Sequence, residues 1–302
     1  MAASIAQLWW VFVGVSTAVY LIVIAFLMFA LVRRRRAMAA AERESADGKS
    51  LLLVSSAVVI TVVILIALAV SDFIFGRVLS STPTNPLRVQ IIGHQWWWEV
   101  DYEDAVPSKR LHTANELHIP VGRPVEVQLK AHDVIHSFWI PNLQGKRDMM
   151  PGRITHAVLK ADRPGVYGGQ CAEFCGYQHA KMKIVVHAET PERYEAWRAA
   201  QLAPARAPTT AQQQRGQKVF LSSTCIMCHA IQGTPAGGTV APDLTHVASR
   251  DYIAAGALRN TPVNMASWIV NPQSIKPGTK MPATALAADD LRALTAYLAS
   301  LE

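Results

Sequence analysis

Residues 171–182 read CAEFCGYQHAKM, and the rest of the chain is best read outward from them. Cys171, Cys175, His179 and Met182 follow one another at spacings of four, four and three, and a further imidazole, His136, lies upstream in DVIHSFWIP (133–141). Two thiolates, two imidazoles and a thioether are a donor set suited to copper: thiolate and thioether favour the cuprous state, and imidazole accepts both states. Two bridging thiolates can hold two copper ions that share one electron. Spacing alone leaves two other uses open. Paired cysteines outside the cytoplasm commonly form a disulfide, and Cys₂His₂ is also a zinc set. The same spacing would line one face of a helix, but the glycine-rich stretch Gly165–Gly169 just before it favours a loop.

On both sides of this stretch the pattern is that of β structure. Runs rich in Val, Ile and aromatics recur between turn signals at Leu87–Ile92, Trp96–Tyr102, Val125–Ala131, Ser137–Ile140, His156–Leu159 and Lys181–His187. Such spacing predicts an all-β sandwich or barrel over residues 84–200, closed by a helix at Pro191–Ala200 with Pro at its start and Glu192 and Glu195 in its first turns. Residues 201–211, which include LAPARAPTTA (202–211), are a Pro- and Ala-rich linker. Beyond them the β pattern stops. Residues 212–302 give a helix at Gln212–Leu221, a Gly/Pro-rich middle and a helix at Asp289–Ser300, in which Leu291, Leu294 and Leu298 form a core-like stripe.

This last region holds the other two of the four cysteines. Cys225-Ile226-Met227-Cys228-His229 is C-x-x-C-H, the pattern of covalent c-type haem attachment, in which the two thiols add to haem vinyl groups and the histidine becomes an axial ligand. A redox C-x-x-C or half of a zinc site are the competing readings. A zinc ribbon needs a second C-x-x-C, and the remaining cysteines belong to the 171–182 stretch. The other seven histidines (His94, His112, His118, His132, His156, His187 and His246) carry no motif and read as surface or hydrogen-bonded residues.

The N-terminal region is of another kind. Trp9 to Val32 carries no charge, and at 1.5 Å per residue a helix of that length spans roughly 36 Å, enough for a hydrocarbon core of about 30 Å. A second uncharged run begins at Leu51 and ends before Asp72. Helices over about 9–32 and 51–75 therefore form a transmembrane hairpin within residues 1–83. The linker 33–50 holds Arg33, Arg34, Arg35, Arg36, Arg43 and Lys49 against Glu42, Glu44 and Asp47, which places it on the cytoplasmic side and both termini opposite. Trp9 and Trp10 stand where an interfacial anchor belongs. The first segment lacks the basic start and small-residue cleavage site of a signal peptide. Composition agrees: 51% apolar and 17% charged residues exclude a disordered chain, and the net charge of +7 owes four charges to the run Arg33–Arg36, so it does not point to nucleic acid.

Residues 171–182 resemble the binuclear copper A loop of the cytochrome c oxidase subunit II family. GHQWWWEVDY (93–102) resembles that family's aromatic stretch, DVIHSFWIP its first-ligand segment and KRDMMPGR (146–153) the turn before its last strands. The resemblance implies a cupredoxin-like domain in which Cys171 and Cys175 bridge two coppers, His136 and His179 each cap one, and Met182 and the Glu173 carbonyl are weak outer ligands. It further implies that the Glu173 carboxylate helps bind a Mg²⁺ shared with a catalytic subunit. Trp96 matches the residue through which electrons enter from a cytochrome c; core packing is the competing reading for Trp96, Trp97 and Trp98. Asp133 is a candidate support for His136. One feature departs from the family: many members carry a Glu near the start of the second membrane helix, at the mouth of a proton path, and residues 51–71 contain no carboxylate. Glu44 and Asp47 are the nearby candidates.

Residues 212–302 resemble a class I cytochrome c domain, in which a Met about fifty residues after the haem motif is the sixth ligand. Within NPQSIKPGTKMP (271–282) that residue is Met281, with Met265 the competitor. The whole reads as a multi-domain membrane protein: a transmembrane hairpin, an all-β cupredoxin-like domain and an all-α cytochrome c domain. The resemblance implies the electron-input subunit of a haem–copper terminal oxidase. It would take electrons from cytochrome c or another donor, pass them through haem c and copper A, and deliver them to subunit I, which reduces O₂ to water and translocates protons. No substrate chemistry falls to this chain. A copper A subunit of a nitric oxide reductase, or a membrane-anchored electron carrier, would need the same parts. Covalent haem and externally facing redox domains point to a bacterial inner membrane with both domains periplasmic.

Overall fold

The computed structural model describes residues 2–37, 47–79 and 84–302. The segment 38–46, including Glu44, lies outside the described residues, as do the side chains of Asp47 and of Arg34–Arg36.

The chain forms two compact units. The first consists of helices α1 (Ala2–Ala37) and α2 (Asp47–Leu79). Both outrun the expected limits, because hydropathy marks only the apolar middle of a helix, and arginine, a good helix former, continues the turns at Arg33–Arg36. Ile5–Arg33 and Leu51–Arg77 are long and apolar enough to cross a membrane. Leu21, Phe26, Phe29, Val59 and Ile66 are exposed among many others, as expected of helices that present apolar surface all round to lipid.

The second unit begins with ten strands: β1 (Leu87–His94), β2 (Trp97–Tyr102), β3 (Leu111–Ala114), β4 (Glu116–Pro120), β5 (Val125–Ala131), β6 (His136–Phe138), β7 (Arg147–Met149), β8 (Thr155–Leu159), β9 (Gly165–Gln170) and β10 (Lys183–Glu189). They make a five-stranded sheet β3-β2-β1-β5-β8, a three-stranded sheet β4-β10-β9 and the pair β6-β7. β1 runs parallel to β5 and β4 to β10; the other pairings are antiparallel. Ile91, Trp98 and Leu129 from one sheet and Leu117, Ile119 and Val186 from the other fill one core. That is a sandwich.

The loop expected for the 171–182 stretch is present, and the glycine-rich residues 165–169 before it form most of β9, where Gly169 pairs with Ile184 and a side chain at 169 would collide with Ile140. One local expectation changes. Trp96 is not in a strand; it sits in the turn between β1 and β2.

Helix α3 (Pro191–Gln201) closes the sandwich, its N-terminus capped by the Thr190 hydroxyl and opened by Pro191. After residues 202–210, α4 (Ala211–Ser222) starts with a capping box in which Thr210 and Gln213 satisfy each other's backbone N–H groups. The short pair β11 (Tyr252–Ile253) and β12 (Leu258–Arg259) precedes α5 (Pro262–Val270), α6 (Pro272–Ile275) and α7 (Ala288–Leu298). A second hydrophobic cluster, with Phe220, Ile231, Met265, Leu294 and Tyr297, holds these elements. α4 crosses α7 so closely that any side chain at Gly216 would overlap the Ala293 carbonyl.

Candidate metal and haem sites

The five soft donors meet in one place. Cys171 Sγ and Cys175 Sγ are 3.8 Å apart, too far for a disulfide, and both thiols are free and buried. Cys171 Sγ lies 3.9 Å from His136 Nδ1 and 3.2 Å from the Glu173 carbonyl oxygen; Cys175 Sγ lies 3.6 Å from His179 Nδ1 and 3.8 Å from Met182 Sδ. Each sulfur therefore has its own imidazole, and the carbonyl and thioether stand on opposite members of the pair. β6 delivers His136, the loop after β9 delivers the cysteines, and a 3-10 turn at His179–Lys181 delivers His179 just before Met182. The two sulfurs share one hydrogen bond, and this coupling lowers the Cys171 pKa while it raises that of Cys175.

The imidazole of His136 is set from behind. Its Nε2 faces Asp133 Oδ1 at 2.9 Å, which leaves Nδ1 turned to the sulfurs. Burial opposes the charge on His136, but Asp133 and Cys171 outweigh it and raise the pKa. Asp133 is half-buried; bonds from His136, Gln95 N and Val134 N more than offset the loss of solvent and hold its carboxyl well below the usual range. Gly93 makes room for the ring, since a Cβ there would come within 2.9 Å of it. Glu173 is exposed.

The second site is an apolar cavity. Cys225, Cys228, His229, Met281, Met265 and Trp268 are among its lining residues. Cys225 lies within a 3-10 turn at Thr224–Met227 and Cys228 caps its end, while Met227 is 71% exposed. His229 Nδ1–H donates to the Pro242 carbonyl over 2.7 Å, which fixes the ring and leaves Nε2 for a metal. Desolvation lowers the His229 pKa, so its neutral form is favoured. Both candidate methionines reach the cavity: Met265 from α5, and Met281 from the segment after α6. Gln273 clamps that segment, donating to the Thr279 and Met281 carbonyls and accepting from Gly278 N–H.

Trp96 joins the two regions. It is only 7% exposed, lines the apolar cavity, and donates from Nε1 to the Cys175 carbonyl over 2.8 Å. Its ring edge lies against Gly278. Trp97 also lines the cavity, whereas Trp98 is wholly buried in the sandwich.

Sequence reasoning did not single out a titratable cluster where the sandwich meets the helical region. Glu116, 4% exposed, accepts from the Asp251 and Tyr252 N–H groups. His187 Nε2 lies 3.8 Å from Glu116 Oε2 and 3.7 Å from Asp251 Oδ2, and His118 stacks between His187 and Trp197. Burial pushes the Glu116 carboxyl up to about 7 and the His187 imidazole down. Glu116, His118 and His187 offer atoms within 4.8 Å of one another. The two rings are stacked at 14°, so their in-plane lone pairs run side by side and do not converge on an ion. The other histidines without motifs behave as ordinary partners: His94 pairs with Glu99, His112 with Asp101, and His246 bonds the Ala203 and Glu302 carbonyls.

Two membrane-length helices, a β-sandwich with a soft donor pocket and a helical region built around C-x-x-C-H define a multi-domain membrane protein with two candidate cofactor sites. Residues 105–189 match the family "Cytochrome C oxidase subunit II, periplasmic domain", and residues 213–302 match the family "Cytochrome c". The chain is similar to cytochrome c oxidase subunit 2 of Alkalihalophilus pseudofirmus (41% identity over 219 residues, 72% of this chain and 62% of that one). It is also similar to the protein of the same name from a Bacillus species, strain PS3 (34% over 230 residues, 72% and 63%). The chain thus spans somewhat less than two-thirds of the length of these relatives. Among solved structures, the periplasmic domain of subunit II of cytochrome oxidase from Bradyrhizobium japonicum aligns at a TM-score of 0.38 and 29% identity, over 40% of this chain and 96% of that one. The chain thus carries a stretch that matches the periplasmic domain of cytochrome c oxidase subunit II, followed by one that matches cytochrome c.

Proposed function

We propose that the chain is the electron-input subunit of a haem–copper terminal oxidase. In this reading electrons from an upstream donor pass through haem c and copper A to the catalytic subunit that reduces O₂. One observation carries the reading: the five-donor pocket and the C-x-x-C-H cavity are separated by Trp96, which touches both. When bound, the copper pair and the haem would each supply a reversible one-electron centre.

The residues around these sites are arranged to change little between redox states. Cys171, Cys175, His136, His179, Met182 and the Glu173 carbonyl would hold the copper pair, with Asp133 fixing one imidazole. Cys225 and Cys228 would hold the haem covalently, with His229 and Met281 as its iron ligands. The His229–Pro242 bond fixes the His229 ring, and the Gln273 clamp fixes the Met281 segment. In this reading the exposed Glu173 carboxylate would help bind a Mg²⁺ at the contact with the catalytic subunit, and Trp96 would be the point of electron delivery to copper. The domain limits in this reading are 84–200 and 212–302, in a bacterial inner membrane with both domains periplasmic.

The test is electron paramagnetic resonance, with copper and iron analysis, on the full chain matured with haem and loaded with copper. A delocalised copper-pair signal with two coppers per haem supports the reading. A single-copper signal, or a Cys171–Cys175 disulfide under full loading, overturns it.

A further inference from the structure

The region between the copper loop and the apolar cavity buries one amine. Lys276 follows α6 and is 2% exposed. Its Nζ donates to the Trp96 carbonyl over 2.6 Å and to the Ala254 carbonyl over 3.1 Å. The first acceptor belongs to the turn of the sandwich that presents Trp96. The second belongs to the helical region, beside β11. An ammonium is costly to bury without partners, and burial pushes the Lys276 pKa down to about 7. Neither candidate site needs a cation here for coordination, because both donor sets are complete without it.

The neighbours of Lys276 repeat the pattern. Lys181 Nζ donates to the Ile275 carbonyl over 2.5 Å, and Gln178 Nε2 to the Pro277 carbonyl over 2.7 Å. Both donors flank His179 on the copper loop. Gly278, whose φ is +85°, lies against the edge of the Trp96 ring. Four consecutive residues, 275–278, therefore touch the sandwich, and Met281 follows three positions later. Of these donors Lys276 is the most deeply buried, and it bonds both regions through one atom.

We propose that Lys276 is a positioning residue, which pins the Met281-bearing segment to the Trp96 face and so fixes the contact through which the haem and copper sites couple. The role rests on the electron-transfer reading above. Electronic coupling falls steeply with separation and less steeply through bonds and hydrogen bonds, so a slackened segment slows transfer without altering either site's ligands.

The test compares Lys276→Met with the wild type in the full chain carrying both cofactors, by two readouts. Hydrogen exchange should quicken at least about tenfold at the amides of 278–281, while those of β1, β5 and α7 keep wild-type rates. Photo-induced equilibration between haem and copper should slow by about tenfold or more, with the copper resonance and haem spectrum unchanged. Lys181→Met, which removes an exposed contact, should stay near wild type in both. Wild-type exchange and transfer in Lys276→Met would overturn the proposal, as would faster exchange throughout both cores. If Lys276→Met fails to take up a cofactor, Lys276→Gln, which is too short to reach both carbonyls, is read in its place, with the same outcomes for and against. Absence of haem-to-copper equilibration in the wild type would sink the electron-transfer reading instead, and the exchange readout would still decide whether Lys276 pins the segment.

Discussion

The indole N–H of Trp96 and the side-chain amide of Gln95 both donate to the carbonyl oxygen of Cys175, each over 2.8 Å. One oxygen of the copper loop thus fixes the turn that separates the two sites. Trp96→Phe removes one donor and keeps an aromatic ring. Because Gln95 still satisfies the carbonyl, the expected loss of stability is within about 1 kcal/mol. Haem-to-copper transfer should slow, and Trp96→Ala should slow it further; flash photolysis on both variants measures the order.

Asp133 does not reach the sulfurs but sets the direction of His136. Asp133→Asn keeps the shape and loses the charge. Its copper affinity is expected to fall about 10–100-fold, read by competition with a chelator of known strength. An affinity equal to wild type would remove Asp133 from the site.

Met281 and Met265 both line the haem cavity, but they stand differently. Met265 is a core residue of α5, whereas Met281 lies on a clamped segment outside regular structure. Met281→Ala should lower the haem reduction potential and open the iron to carbon monoxide. Met265→Ala should cost about 2–5 kcal/mol of stability and leave the sixth ligand in place. The reverse result would exchange their roles.

Glu116 faces Arg250, Asp251, His187 and His118. Its folded-state pKa of about 7 lies above the ordinary 4.5, so between those values the folded chain keeps a proton that the unfolded chain has lost. Stability from this group declines as pH rises through that window and is level above it. His187, depressed below 6.5, acts in the opposite sense, and stability from it rises toward that pH. Glu116→Gln leaves only the histidine slope. The melting temperature of wild type relative to Glu116→Gln should therefore fall between about pH 5 and pH 7, by calorimetry in detergent.

The parts of the fold legible from sequence were those with local signals. Pro191 announces a helix start, and C-x-x-C-H needs no partner elsewhere in the chain, whereas the Thr210–Gln213 capping box begins inside the stretch read as linker. β9 was hidden because its glycines, which look like a loop, leave space that Ile140 and Ile184 fill. The Glu116 cluster was hidden for another reason: His118 and His187 meet only because β4 and β10 pair in that register. Lys276 is the extreme case. Nothing in SIKPGTK marks a buried amine, since its acceptor, Trp96, lies 180 positions away.

Residues 202–210, a nine-residue tether between α3 and α4, have a kinetic meaning. A free carrier would reach the Trp96 face by collision, at a rate set by its abundance and by salt. A short tether instead gives an effective concentration on the order of millimolar. Delivery across this contact then becomes first order: diluting the protein should leave it unchanged, and only the earlier arrival of an electron at the haem should depend on a second molecule.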